Sequence, residues 1–263
     1  MITVRASSLS ELMDCPHRWE AKHVKGMRLP RSGAAQLGTA VHAGTAAYDA
    51  SRLAGDMITA DDAAGALVDA IHKPQEDVAW DEDLGPAKAE GIGLAIHRKY
   101  CATIAPVQDY VGVEVKCERL DITDLDLSLT GTTDRVRRCA DGFGVADLKT
   151  GKTAVGADGT VKTSGHGLQL GVYELLASAA LGQPITAPAQ IIGLQTGMTD
   201  KAQRVGIGTV DSARDALVGD HENPGILEHA AKLLHGGIFF GNPRSQLCGP
   251  KYCPAYPTCR HRA

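Results

Sequence analysis

The sequence predicts an α/β fold, a central mixed β-sheet flanked by helices, and three observations predict it. Residues 1–105 carry apolar side chains at helical spacing, residues 106–210 switch to strands of period two around one helix, and residues 211–263 return to a helix before an irregular Pro- and Cys-rich tail. These regions are expected to form one domain of 263 residues, whose 43% hydrophobic, 22% charged and 4% aromatic side chains are ordinary for a globular protein. There is no run of about 18 apolar residues, and Met1–Arg5 shows no charged leader ahead of an apolar core. A cytoplasmic protein without membrane contact is therefore expected.

In chain order, Ser8-Leu9-Ser10-Glu11 reads as a capping box that opens a short helix. Cys15-Pro16 ends it, and Pro16 suits the first position of a second helix running to Val24. Helices are predicted over residues 34–53, 60–73 and 86–103, the last two separated by an acidic, poorly periodic stretch. Val111, Val113, Val115 and Cys117 then alternate with Gly112, Glu114, Lys116 and Glu118, the pattern of a half-buried strand. Strands are predicted over 125–129, 132–139 and 143–150, with Asp141-Gly142 as a two-residue hairpin turn. A Gly-rich loop, a helix over 167–181, strands over 189–195 and 204–209 and a mostly helical stretch over 211–235 complete the pattern.

The formal charge of −4 excludes neither an anionic nor a cationic partner, but its distribution is uneven. Residues 1–41 hold six bases and three acids, and residues 244–263 hold four bases (Arg244, Lys251, Arg260, Arg262) and no acid. Basic ends on an acidic body suit a protein that grips phosphates in one place, or equally one with solvated termini.

If Asp141 and Gly142 form the turn, Asp134 lies opposite Lys149 and Val136 opposite Asp147. Asp134, Asp147 and Lys149 then share one face within roughly 5–8 Å. Two carboxylates and an ammonium beside Val136, Phe143 and Val145 are costly unless a divalent ion or tight pairing compensates. One reading is that the two Asp hold a hard cation that activates water and neutralises a phosphoryl group, with Lys149 orienting or deprotonating the water. The other is an exposed, salt-bridged hairpin.

Gly131-Thr132-Thr133-Asp134-Arg135-Val136 and Asp147-Leu148-Lys149-Thr150-Gly151-Lys152 resemble the G-x-x-D-R-V and D-x-K-T-G-K strands of the PD-(D/E)XK nuclease superfamily, in its RecB-like branch. Gln169-Leu170-Gly171-Val172-Tyr173 is similar to that branch's Q-x-x-x-Y, and Gly38-Thr39-Ala40-Val41-His42 to its G-x-x-x-H. The resemblance implies a restriction-endonuclease-like core with an N-terminal helical elaboration. It further implies Mg2+ or Mn2+ held by His42, Asp134, Asp147 and the carbonyl of Leu148, with Asp134, Asp147, Lys149, Gln169 and Tyr173 as the catalytic residues. Glu114 sits where the branch can place an acid on its first core strand, although the alternation also fits a solvent-facing Glu. Lys152, Arg260 and Arg262 are candidate DNA contacts.

The tail carries Cys248-x4-Cys253-x5-Cys259 in a segment too irregular to stabilise itself by burial, and Cys15 lies at the hinge between the first two helices. Four thiolates fit a [4Fe–4S] cluster or a structural Zn2+, and spacing does not separate the two. The same branch contains iron-stapled members of the AddB and Cas4 types with one N-terminal and three C-terminal Cys; those usually show C-x2-C-x5-C, so the first gap here departs. Cys101, Cys117 and Cys139 have no ligand spacing and are expected to be buried or incidental thiols.

These readings lead to a metal-dependent deoxyribonuclease, an exonuclease acting on linear single- or double-stranded DNA ends in recombination or end processing. The resemblance supplies its partner, a single-strand-annealing protein of a phage or bacterial system. The alternatives are a Cas4-type nuclease of CRISPR adaptation, against which Asp147 in place of the Glu common there speaks, and a non-catalytic DNA-binding scaffold with a structural four-Cys site.

Overall fold

The computed structural model describes residues 1–263 except Asp141, His221 and Ala263. A short strand β1 (Ile2–Arg5) leads directly into α1 (Ala6–Asp14), and Pro16 opens α2 (Pro16–His23) from its first position, where a missing N–H costs nothing. The expected capping box at Ser8 is not there. α1 begins at Ala6, two residues before Ser8, and the Ser8 hydroxyl is buried inside the first turn, donating to Arg5 O and accepting from Trp19 Nε1.

Two-residue strands β2 (Arg31–Ser32) and β3 (Val78–Ala79) pair in parallel across the helical region. Between and after them come α3 (Gly33–Ala54), capped by the Ser32 hydroxyl, α4 (Ala60–His72) and α5 (Pro86–Thr103). A capping box does occur at α4: Thr59 accepts from Asp62 N while Asp62 accepts from Thr59 N, an arrangement worth about 1 kcal/mol.

The main sheet is built from β1, β4 (Tyr110–Ile122), β5 (Leu127–Cys139), β6 (Gly142–Gly151), β7 (Ala189–Gln195) and β8 (Val205–Val210). α6 (Gly167–Leu181) crosses between β6 and β7, which are parallel, and α7 (Ile226–His235) follows β8. The two expected strands over 125–129 and 132–139 are one continuous strand, because Thr130 and Gly131 stay in the ladder with β4 and β1. The expected long helix over 211–235 is reduced to α7. Asp220 Oδ1 accepts from Glu222 N and Asn223 N, Pro224 follows, and Gly219 and Gly225 approach so closely that a Cβ on either would lie 2.2–2.3 Å from the other's backbone. That turn chemistry outcompetes helical hydrogen bonds.

Side chains alternate across the sheet into two cores. Val136 and Val145 join Leu9, Leu12, Trp19, Leu170 and Leu176 beneath α1 and α6, whereas Ala146, Leu148, Ile192 and Leu194 meet Leu37, Val41, Leu67 and Ile96 beneath α3, α4 and α5. Gly131 admits α6: a Cβ there would come within 3.0 Å of Leu176 and 3.2 Å of Ala6. Among the described residues no helix is long and apolar enough to cross a membrane.

Candidate active site

The decisive geometry is a parting of two strands. β5 pairs with β4 along one edge; its other edge takes β1 through Leu127–Thr130 and β6 through Arg135–Cys139, so residues 131–134 of that edge have no strand partner. The β5/β6 ladder ends at Arg135↔Ala146, immediately before Asp134 and Asp147. The register differs by two from the expected one: Cys139 pairs with Gly142, and Asp134 stands across from Asp147 instead of Lys149. The expected turn at Asp141-Gly142 is thus corrected, because Gly142 already stands in the ladder opposite Cys139, and Asp141 lies outside the described residues. A slip of two preserves which side chains share a face, so the expected cluster survives the correction.

Where the strands part, Asp134 supplies what the ladder no longer does. Its Oδ2 accepts from Leu148 N at 2.8 Å, in a buried setting. Within a strand the N–H and C=O of one residue point to the same edge, so the Leu148 carbonyl faces the same gap. His42 comes from α3, in the opposite layer, with Nδ1 3.6 Å from Asp134 Oδ2.

Asp147 is 2% exposed. Its Oδ2 receives no aligned hydrogen bond, although the Lys149 ammonium stands 2.7 Å away and off axis. Burial, then the Asp134 carboxylate, pushes the Asp147 carboxyl up to about 6, against the opposing pull of Lys149 and His42. Lys149 Nζ also donates to Gln169 Oε1 at 2.8 Å, and Gln169 Nε2 donates to the Tyr173 hydroxyl at 2.8 Å. The i,i+4 spacing of Gln169 and Tyr173 thus forms a relay from α6 to Lys149.

The donors suit a hard divalent ion: two buried carboxylates, a backbone carbonyl and an imidazole, with one carboxylate oxygen lacking an aligned partner. Among the described residues, however, no three His, Cys, Asp or Glu side chains stand close enough to form a coordination group as they are. Glu114 lies opposite Asp134 on β4, half-exposed, at φ 50° and 3.4 Å from Arg135 Nη1. Lys152 is exposed, and Arg260 and Arg262 lie on the tail; none of the three bonds to the carboxylate cluster.

Cys15, Cys248, Cys253 and Cys259 line one partly open cavity of about 20 Å3 with His17 and His261. Cys253 packs on Ala21 of α2, and Asn242 donates its backbone N–H to Cys15 Sγ at 3.4 Å. The tail is also tied to the first helices by Arg18, whose buried guanidinium bonds Glu11 at 2.7 Å, Asp14 at 2.8 Å and Ser245 at 3.1 Å. Cys101 and Cys117 are buried, and burial pushes the Cys101 thiol up to about 12, as befits a packing residue.

The model of the PD-(D/E)XK nuclease superfamily matches residues 3–260, nearly the whole chain. The chain belongs to the PD-(D/E)XK nuclease superfamily. Its mixed sheet between helical layers is consistent with the restriction-endonuclease-like fold of that superfamily. Membership implies a nuclease, a hydrolase acting on DNA, and PD-(D/E)XK nucleases usually use Mg2+ or Mn2+. The solved structure "Crystal structure of SSO0001" aligns over 99% of this chain and 87% of its own at 13% identity and a TM-score of 0.45. No curated protein matches.

Two features of this PD-(D/E)XK site escaped sequence reasoning. His166, just before α6, is held below the ordinary imidazole range by burial and then by the charges of Lys149 and Lys162. The Arg135–Asp49 pair behind the site joins residues 86 apart in sequence, and no local pattern announces it.

Proposed function

We propose that the chain is a Mg2+- or Mn2+-dependent exodeoxyribonuclease that hydrolyses phosphodiesters at linear DNA ends, serving recombination or end processing. The observation that carries this reading is the parting of β5 and β6, which opens the Leu148 carbonyl and both carboxylates onto one gap beside Lys149. His42, Asp134, Asp147 and the Leu148 carbonyl would hold the ion. When bound, it supplies positive charge that lowers the pKa of water and offsets charge on the phosphoryl oxygens.

The chain's own residues do the rest. Lys149, held between Asp147 and Gln169, has N–H groups free to orient the attacking water or to donate to a non-bridging phosphoryl oxygen. Tyr173 restricts Gln169, and through it the direction of the ammonium. His42, as an imidazole donor beside carboxylates, tilts preference from Mg2+ towards Mn2+.

The four thiols around one cavity support a [4Fe–4S] staple, with tetrahedral Zn2+ as the other donor-compatible occupant. The exposed bases of the tail, with no acid among residues 244–263, support its contact with DNA phosphates. The single-strand-annealing partner rests on the resemblance alone.

The test is digestion of linear DNA labelled at one end, single- and double-stranded, by anaerobically purified protein with Mn2+, Mg2+ or EDTA, beside Asp147→Ala. Metal-dependent release of terminal nucleotides by the wild type only is expected, and the end that is lost gives the polarity. Equal activity in Asp147→Ala would remove Asp147 from the site, and no cleavage with either ion would favour a DNA-binding scaffold.

A further inference from the structure

We propose that Arg135 is a positioning residue of the cleavage site, a buried clamp that seats helix α3, and with it His42, against the strand carrying Asp134. This rests on the nuclease reading above for its consequences in catalysis, but the clamp is defined by geometry alone.

Arg135 is 1% exposed and is among the largest fully buried side chains of the protein. Its Nε donates to Asp49 Oδ2 at 2.7 Å, Nη2 to the Thr45 hydroxyl at 3.3 Å, and Nη1 to the backbone carbonyl of Asp134 at 2.7 Å. Glu114 Oε1 stands 3.4 Å from the same Nη1. One planar group therefore binds α3 through two residues and β5 through the main chain of its own neighbour.

His42, Thr45 and Asp49 are spaced by three and four, so they lie along one face of α3. The two residues that Arg135 grips are thus the turns that follow His42 on that face. From α5, the Tyr100 hydroxyl donates to the same Asp49 oxygen at 2.5 Å, which fixes the carboxylate from a second side.

The need for such a clamp follows from the layers. Asp134 and Asp147 reach the gap from the sheet, and Lys149 is held by α6, but His42 approaches from the α3 layer and stands 3.6 Å from Asp134 Oδ2, with no hydrogen bond of its ring to the sheet among the described residues. Its distance to Asp134 is set by how α3 sits on β5. A buried ion pair is a poor source of net stability, and apolar residues of similar size would serve a mere packing role as well. A guanidinium adds fixed donor directions, two of which meet successive turns of α3 and so specify translation and rotation of the helix together.

The test compares wild type with Arg135→Lys, Asp49→Asn and the milder Thr45→Val, each alone and combined with His42→Ala. Mn2+ affinity is read by electron paramagnetic resonance of free Mn2+, stability by thermal melting, and the His42 ring by its NMR signal in metal-free protein. Arg135→Lys is expected to keep a cooperative melt, shift the His42 signal and weaken Mn2+ binding about tenfold or more. In the His42→Ala background the same change is expected to weaken binding no further, because its effect passes through His42.

Full additivity with His42→Ala, or wild-type Mn2+ affinity in both Arg135→Lys and Thr45→Val, would overturn the clamp. If Arg135→Lys does not fold, Thr45→Val and Asp49→Asn carry the same comparison. If the wild type itself neither binds Mn2+ nor cuts DNA, the nuclease reading fails. The clamp is then judged by the His42 signal alone, and a signal unmoved by all three changes refutes it.

Discussion

Asp147 shows what a buried carboxylate costs its own fold. In the metal-free protein its pKa stands near 6, above the roughly 3.9 of an unfolded chain, because burial and Asp134 disfavour the charge. The folded state therefore binds more protons than the unfolded state between those values, and stability falls as pH rises through that window. Above about pH 6 the full penalty is present; below about pH 4 it is absent. Asp147→Asn should raise the melting temperature of metal-free protein at pH 8, by a gain on the order of 1–3 kcal/mol, and leave it unchanged at pH 4. An equal melting temperature at pH 8 would show that Lys149 already neutralises the charge. Glu174 poses the same conflict away from the site: burial first, with Asp215 adding and Arg214 opposing, pushes it up to about 7. Glu174→Gln is thus expected to stabilise the protein at pH 8 and not at pH 4, in urea melts at the two pH values.

At the scale of elements, helix α6 carries Gln169 and Tyr173, and it reaches the sheet because Gly131 lacks a side chain. Gly131→Val would drive a branched side chain into Leu176 and Ala6. The expected cost is about 1–3 kcal/mol, with a larger loss of cleavage, since the helix that holds Lys149 must shift. Retained activity at a lowered melting temperature would separate α6 packing from lysine placement. Strands β4 to β8 were legible because period-two alternation and turn residues are local signals. The register was misjudged by two because it depended on which residues of Ala140-Asp141-Gly142 make the turn, yet the face of Asp134, Asp147 and Lys149 was right, since a slip of two cannot flip a face. The parting of β5 from β6 was not legible. It depends on β1, from the start of the chain, taking the edge of β5 up to residue 130, and Ile2–Arg5 carries too short a pattern to announce a strand. The Arg135–Asp49 pair was hidden for the same reason, a contact between distant segments.

Across the whole molecule, the two ends of the chain converge on one corner, where Arg18 ties the tail to α1 and α2 and the four thiols line one cavity. A metal bridge from Cys15 to Cys248 would close a loop of more than 230 residues, restricting the unfolded chain by about 5 kcal/mol on entropy grounds. Cys253→Ala is expected to lower both the bound iron or zinc and the melting temperature, measured on anaerobic protein; unchanged values would remove the staple. Arg18→Ala tests the metal-independent tether. It leaves Asp14 and Glu11 short of a partner, at a cost of about 3 kcal/mol, and should make the tail susceptible to proteolysis while α3 to α5 stay protected.

The bond from Leu148 N–H to Asp134 has a further consequence. Where β5 and β6 part, this amide answers to a carboxylate side chain instead of another backbone. In isotopically labelled protein the Leu148 amide resonance should move when a cation takes electron density from the accepting Asp134 oxygen. The strand thus carries a built-in reporter, in which occupancy of the site can be read from a main-chain signal without any substrate present.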